Sequence, residues 1–138
     1  SSTKVQIFHG GDMACFRPAT DTISMPDDFA FFDTKTGTRT ENYYAILLHE
    51  LTHWTKGKSR CNRDMAKRFG DDVYAMEELV AELGAAFQCA ELGISSKPRA
   101  DHAQYLAHWL AVMKADKKAI FTAAAKASEA VQFIKNLQ

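Results

Sequence analysis

Two histidines spaced four residues apart, with a glutamate beside the first, constrain this sequence more than any other feature. His49-Glu50-Leu51-Thr52-His53 lies in an apolar run, residues 43–54, which no glycine or proline interrupts. Upstream, Thr38 and Glu41 form a capping-box pattern, which predicts that a helix begins there. Residues four apart on a helix lie one turn from each other on the same face. The two imidazoles are therefore predicted to converge on one point.

Two converging imidazoles beside a carboxylate are typical of a catalytic metal site. Zinc is commonly held by such a pair, and Glu50 is placed to act as general base on an activated water, which is the chemistry of peptide hydrolysis. The alternative is an accidental pattern on a surface helix, because short motifs carry a risk of false matches. The apolar residues around the motif argue against this alternative, because they indicate that the helix is largely buried, and buried histidines need partners. These residues are Leu47, Leu48, Leu51 and Trp54.

A catalytic zinc needs a third protein ligand and an open fourth position. A second helix, predicted over residues 71–92 with Gly93 as its stop signal, offers Glu78 and Glu82 one turn apart. We expect Glu78 to be the ligand and Glu82 to accept a hydrogen bond from a ligand histidine, which fixes the tautomer of that histidine. Glu77 is third in preference, because it is rotated by about 100° from Glu78. We expect one Zn²⁺ per chain, although the same donors also suit Fe(II), Mn and Co.

Composition and charge exclude several classes of protein. The chain has 138 residues, and its 17 Lys and Arg balance its 17 Asp and Glu, so net charge favours neither nucleic acid nor a membrane surface. The cysteines, Cys15, Cys61 and Cys89, lack the spacing of a disulfide or thiolate site and indicate a reducing compartment. No secretory signal or long apolar run is present, so a cytoplasmic location is expected. The start at Ser1, without methionine, indicates a part of a longer protein.

The remaining patterns predict an α+β fold in which a small sheet precedes about four helices. Apolar segments at residues 5–8, 13–17 and 22–25, separated by turn residues, predict a small N-terminal antiparallel sheet. After the motif helix and the acidic helix, a third helix is predicted from residues 96–98 to about residue 116. An alanine-rich fourth helix ends the chain. Residues 56–70, between the first two helices, are polar and are expected to form a loop.

Other polar residues are candidates for lesser roles. Peptide hydrolysis also needs a donor that stabilises the oxyanion, and the sequence does not select among Tyr43, Tyr44, Tyr74, His102 and His108. His102 is named as a cleft residue only, because a capping or surface role accounts for it more simply. The basic run at residues 56–68 can guide a phosphate backbone or an acidic substrate. A solvated loop is the simpler interpretation, because the run lacks interleaved aromatic residues.

Beyond the motif, most of the chain resembles the metallopeptidase domain of ArdC-type plasmid antirestriction proteins, which is also found in TraC-type conjugative primases. The combination of HELTHW with EELVAELGAAF, at residues 49–54 and 77–87, is more specific than the histidine motif alone. Residues 22–26, 101–103 and 114–121 extend the resemblance. It implies a single zincin-like metallopeptidase domain over residues 1–138. It also implies that His49, His53 and a glutamate of the acidic helix bind zinc, with Glu50 as base.

The resemblance also implies a biological setting. Such domains belong to antirestriction or conjugation proteins of bacterial plasmids and other mobile elements, and an N-terminal part that binds single-stranded DNA is absent from this chain. The expected partner is a peptide or protein substrate, with single-stranded DNA bound only through that missing part and no membrane partner. Two alternatives remain open: a non-hydrolytic, metal-stabilised module that binds protein or DNA, and a bare nucleic-acid-binding domain.

Overall fold

Three short strands precede the helices, as the sequence predicts. A computed structural model describes residues 4–94 and 103–137. The strands are β1 (Gln6–Gly11), β2 (Cys15–Arg17) and β3 (Thr22–Pro26), and the α-helices are α1 (Arg39–Trp54), α2 (Ala66–Phe69), α3 (Val73–Leu92), α4 (Ala103–Ala115) and α5 (Ala119–Lys135). The α+β class and the four long helices are therefore confirmed.

The sheet is mixed, and the prediction of a purely antiparallel sheet was wrong in this respect. β2 pairs antiparallel with β3, but β1 pairs parallel with β3, which gives the order β1-β3-β2. The most apolar strand takes the centre, since Ile23 and Met25 of β3 are completely buried. The chain passes from β1 to β3 through β2, which serves as part of the crossover that parallel strands require. As a result β2 is an edge strand, and it contacts α1.

α1 begins where the capping box is predicted. The Thr38 hydroxyl accepts a hydrogen bond from the Glu41 amide at 3.1 Å, and the Glu41 carboxylate accepts one from the Thr38 amide at 3.1 Å. Such a cap stabilises a helix by about 1 kcal/mol. The middle and the C-terminal end of the helix are anchored by Leu47 and Trp54, which share a buried cluster with the inward side chains of β3.

α3 lies between α1 on one side and α4 and α5 on the other. Its side chains Met76, Leu79 and Val80 form a buried cluster with apolar residues of α4 and alanines of α5. The helix ends at Gly93, whose positive φ of 70° is a left-handed cap, as predicted. Because α1 and α3 lie side by side, the motif histidines on α1 face the acidic residues of α3.

The structure differs from the sequence prediction in the segment that follows α1. Residues 56–70 do not form a simple loop, because they contain α2 and the buried side chain of Phe69. The start predicted for the third helix at residues 96–98 lies outside the described residues. None of the helices within the described ranges is long and apolar enough to cross a lipid bilayer.

The close approach of α1 and α3 depends on Gly84. A Cβ atom at this position would lie only 2.6 Å from Cγ2 and 2.8 Å from Oγ1 of Thr52. Thr52 is completely buried, and its hydroxyl donates to the Leu48 carbonyl at 2.8 Å and accepts from the Gln88 amide at 3.1 Å. Thr52 therefore cannot move aside without losing these hydrogen bonds.

Replacing Gly84 by alanine is expected to lower the thermal unfolding midpoint, as measured by circular dichroism. Overpacking a core costs about 1–3 kcal/mol, whereas alanine gains only about 1 kcal/mol in helix propensity. Adding Thr52→Ser, which removes Cγ2, is expected to restore part of the lost stability. An unchanged or higher midpoint in Gly84→Ala would contradict the close contact described here.

Candidate metal centre

The motif side chains converge at the interface between α1 and α3. The Nε2 atoms of His49 and His53 lie 3.2 Å apart. The Glu78 carboxylate reaches both, with Oε2 at 3.2 Å from His49 Nε2 and Oε1 at 3.1 Å from His53 Nε2. The structure thus brings together the three residues that the sequence analysis names as ligands.

The spacing of these atoms fits a divalent metal ion. Metal–ligand bonds of about 2.0–2.1 Å in tetrahedral geometry place the ligand atoms about 3.3 Å apart. The two Nε2 atoms are 3.2 Å apart, and each lies 3.1 or 3.2 Å from a different oxygen of Glu78, so one atom from each of the three residues lies within 4.8 Å of the others. Two imidazole nitrogens and one carboxylate form three corners and leave the fourth for a water or a substrate, as catalytic sites require.

Two further glutamates of α3 contact the Nδ1 atoms of the two histidines, on the side of each ring away from the triad. His49 Nδ1 lies 3.4 Å from Oε2 of Glu82, and His53 Nδ1 lies 3.2 Å from Oε1 of Glu77. A carboxylate in this position fixes the tautomer and the orientation of a metal-binding imidazole. Glu82 therefore lies where the sequence analysis expects outer support. Glu77 lies on the other side and supports His53 in the same way.

Glu77 is fixed in turn by Arg63, a residue that the sequence analysis missed. The guanidinium donates to the two Glu77 carboxylate oxygens at 2.6 and 2.7 Å, and to the Thr55 hydroxyl and the Thr52 carbonyl. Arg63 is only 3% exposed, so the interpretation of the basic run as a solvated loop is wrong for this residue. The loop after α1 turns back and buries it, which no local pattern signals.

The surrounding carboxylates control the proton affinity of both imidazoles. Burial lowers the pKa of His53, but hydrogen bonds to Glu77 and Glu78 outweigh it and raise the pKa to about 9. The pKa of His49 is also raised, because hydrogen bonds to Glu78 and Glu82 outweigh its burial. Burial raises the pKa of Glu78, but its hydrogen bonds to the two histidines lower it well below the usual range. An environment that favours positive charge here also favours a metal cation.

The triad opens into a cleft of about 490 Å³ between the sheet edge and the helices. One wall is formed by residues 13–16 and Pro18, in and around β2, and the other by residues of α3 and α4. Glu50 also lines the cleft, although it is only 8% exposed. The cleft can therefore admit an extended chain that reaches both the triad and the predicted base.

The cleft also reduces the number of candidate oxyanion donors. Among those within the described residues, Tyr74 alone lines the cleft, where it lies close to Tyr105 of α4. Tyr43 instead forms a hydrogen bond with His9 at 2.6 Å. His102, predicted as a cleft residue, lies outside the described residues. Tyr105 is a second cleft tyrosine that sequence reasoning did not find, because it looks like an ordinary core aromatic of a helix.

Comparison with known proteins identifies the family to which this fold belongs. A family model named MPTase-PolyVal and described as a zincin-like metallopeptidase matches residues 1–126. The chain is 45% identical over 129 residues to the uncharacterized protein y4eC of Sinorhizobium fredii, and 43% identical over 129 residues to DNA primase TraC of Escherichia coli. It also matches the Mn(II)-bound crystal structure of antirestriction protein ArdC from plasmid R388, with a TM-score of 0.80 and 37% identity.

These relatives are longer proteins. The matches cover 94%, 93% and 97% of this chain, but only 40% of y4eC, 12% of TraC and 48% of the ArdC chain. The predicted resemblance to ArdC and TraC and the predicted zincin-like fold are both confirmed. Since the family model spans nearly the whole sequence, the chain belongs to the zincin-like metallopeptidase family.

Proposed function

We propose that this chain is a metal-dependent peptidase domain in which His49, His53 and Glu78 hold one zinc ion. The observation that carries the proposal is the triangle of two Nε2 atoms and one carboxylate at the floor of an open cleft. Bound zinc supplies Lewis acidity, which activates water and polarises a peptide carbonyl. The similar ArdC structure is Mn(II)-bound, which supports a divalent metal. The choice of zinc among the divalent metals is a further part of the proposal.

Glu50 is the proposed general base. It follows His49 on α1 and its side chain lines the cleft beside the triad. From this position the carboxylate can accept a proton from the attacking water and deliver it to the leaving amine. Its low exposure means that the proton transfer takes place with little competing solvent, where electrostatic interactions are stronger than in bulk water.

β2 is the proposed docking edge for the substrate backbone. The strand pairs with β3 on one side only, and Cys15 and Phe16 line the cleft. An extended peptide can add to such an edge as a further strand, with main-chain hydrogen bonds supplying affinity. A peptide bound there crosses the cleft beside the triad. A peptide or protein is therefore the proposed substrate.

The same proposal extends to the parent protein. We propose that it is a cytoplasmic protein of a bacterial mobile element with a role in antirestriction or conjugation. Support comes from the names of ArdC and TraC, which describe antirestriction and priming. Single-stranded DNA is proposed to bind only through parts outside this chain.

Metal content is the first test. Wild-type chain purified without chelator or an immobilised-metal column is expected to contain about one zinc by elemental mass spectrometry. His53→Ala is expected to lose it, because a ligand is removed, whereas His108→Ala, at an exposed position of α4, retains it. If the chain contains manganese instead of zinc, the proposed identity of the metal is wrong and the proposed site remains. A folded wild type that neither contains nor takes up a divalent metal would overturn the site.

Removing the proposed base separates catalysis from metal binding. Glu50→Ala is expected to reduce hydrolysis of unfolded casein by about 10²–10⁴-fold, the usual contribution of general acid–base catalysis, while metal content stays unchanged. Glu129→Gln, an exposed carboxylate on α5, serves as the matched control. Full activity in a folded, metal-loaded Glu50→Ala chain would rule out the assigned role. A metal-loaded wild type that cleaves nothing would favour the non-hydrolytic interaction module.

The outer carboxylates are expected to tune metal affinity. Glu82→Gln and Glu77→Gln are each expected to weaken zinc binding by about 10–100-fold, as measured by competition with a chromophoric chelator, because they weaken the support on Nδ1. Glu91→Gln, near the end of the same helix, is the control. Glu82 is the cleaner position, since its side chain is 27% exposed and carries less risk to folding. Unchanged affinity in Glu82→Gln would contradict the supporting role of this carboxylate.

A further inference from the structure

The basic run after α1 contains two kinds of cation. Its arginines bond within the chain: Arg60 pairs with both oxygens of Asp21 at 2.5 and 3.0 Å, and Arg68 pairs with Asp116. Arg63 is buried against Glu77, as described above. Lys56, Lys58 and Lys67, in contrast, are exposed, and none of them forms an ion pair within the described ranges. The charge that remains available to a ligand is therefore that of these three lysines.

Two of these lysines, Lys56 and Lys58, border a second cavity, of about 440 Å³, beside the metal cleft. Its apolar part is formed by Phe16 and Pro18 at the end of β2, together with Gly57. Phe16, Pro18 and Lys56 line the metal cleft as well as this cavity. The two spaces are thus adjacent. A peptide that extends along β2 from the triad can place a side chain in the second cavity.

The two spaces differ in charge. The metal cleft is lined by three carboxylates, those of Glu50, Glu77 and Glu78. The second cavity has one lining carboxylate, Asp21, and Arg60 neutralises it through two hydrogen bonds. Within the metal cleft Arg63 pairs with Glu77 and Glu78 faces the histidines, so Glu50 is the carboxylate that repels an acidic side chain there. In the second cavity Lys56 and Lys58 attract such a side chain, and no unpaired carboxylate among the lining residues opposes them. The charge of the second cavity therefore favours an acidic side chain at that position.

We propose that the cavity bounded by Phe16, Pro18, Lys56 and Lys58 is a subsite for an acidic side chain of the substrate. The inference rests on the proposed peptidase function and narrows its substrate class to peptides with aspartate or glutamate near the scissile bond. The apolar part contacts the methylene groups of the side chain, and the ammonium groups bind its carboxylate. Because exposed ion pairs are individually weak, two of them correspond to a preference of about fivefold.

Two matched probes test the subsite without requiring turnover. The capped pentapeptide Ala-Ala-Glu-Ala-Ala and its glutamine analogue are titrated into metal-loaded Glu50→Gln chain and followed by amide NMR. The glutamate peptide is expected to bind about fivefold more tightly, and the shifts are expected to include the amides of residues 56–59. Equal affinities, no binding, or no shifts at these amides would overturn the subsite.

Charge variants assign the preference to the lysines. Lys58→Gln is expected to reduce the affinity ratio of the two peptides, and Lys56→Gln combined with Lys58→Gln to bring it close to one. Lys58→Arg, which keeps the charge, and Lys117→Gln, which lines neither cavity, are expected to retain it. Because each variant is judged by the ratio of two peptides, a general loss of affinity does not affect the result. A full preference in the double variant would overturn the assignment.

Cleavage of a degenerate peptide library by the wild type separates this inference from the proposed function. Enrichment of Asp or Glu near the cleavage sites supports both. Cleavage without such enrichment overturns the subsite and leaves the peptidase function in place. Selective binding of the glutamate peptide without any cleavage supports the subsite and overturns the peptidase function.

Discussion

Three carboxylates on one helix, facing two imidazoles on its neighbour, are the constraint on which the rest of this structure depends. Glu77, Glu78 and Glu82 of α3 approach His49 and His53 of α1 within 3.4 Å. Each buried charge costs several kcal/mol unless it is compensated. The helix pair is therefore stable only if imidazoles, an arginine or a metal ion balance the acids, and the side-by-side packing of α1 and α3 keeps these groups in place.

The order of the strands has a direct effect on the cleft. In an antiparallel meander of the three strands, β2 would lie in the middle and both of its edges would be paired. The parallel pairing of β1 with β3 leaves β2 at the edge, next to α1 and the metal triad. The departure from the prediction thus provides the open edge on which the proposed peptide binding depends.

Local features of the fold were predictable because they depend on local physics. The capping box at Thr38, the end of α3 at Gly93 and the convergence of His49 and His53 each follow from residues within one or two helical turns. Helical periodicity and the chemistry of zinc ligands place Glu78 and Glu82 on the face toward the histidines, and the choice of Glu78 as the ligand stays a prediction. Arg63, by contrast, meets Glu77 fourteen residues along the chain through an irregular loop. The strand order likewise depends on contacts between segments that no short pattern relates.

All three candidate ligands lie on one helix pair, so a metal ion bound to them would link the lifetime of the domain to the supply of metal in the cell. An ion that binds the folded chain and not the unfolded chain adds about 1.4 kcal/mol of stability for every tenfold rise in free metal above its Kd. Such an ion also ties together α1 and α3, the two helices that supply its ligands. Folded protein would then persist where metal is plentiful and be degraded sooner where it is scarce, so the abundance of the domain would follow metal homeostasis.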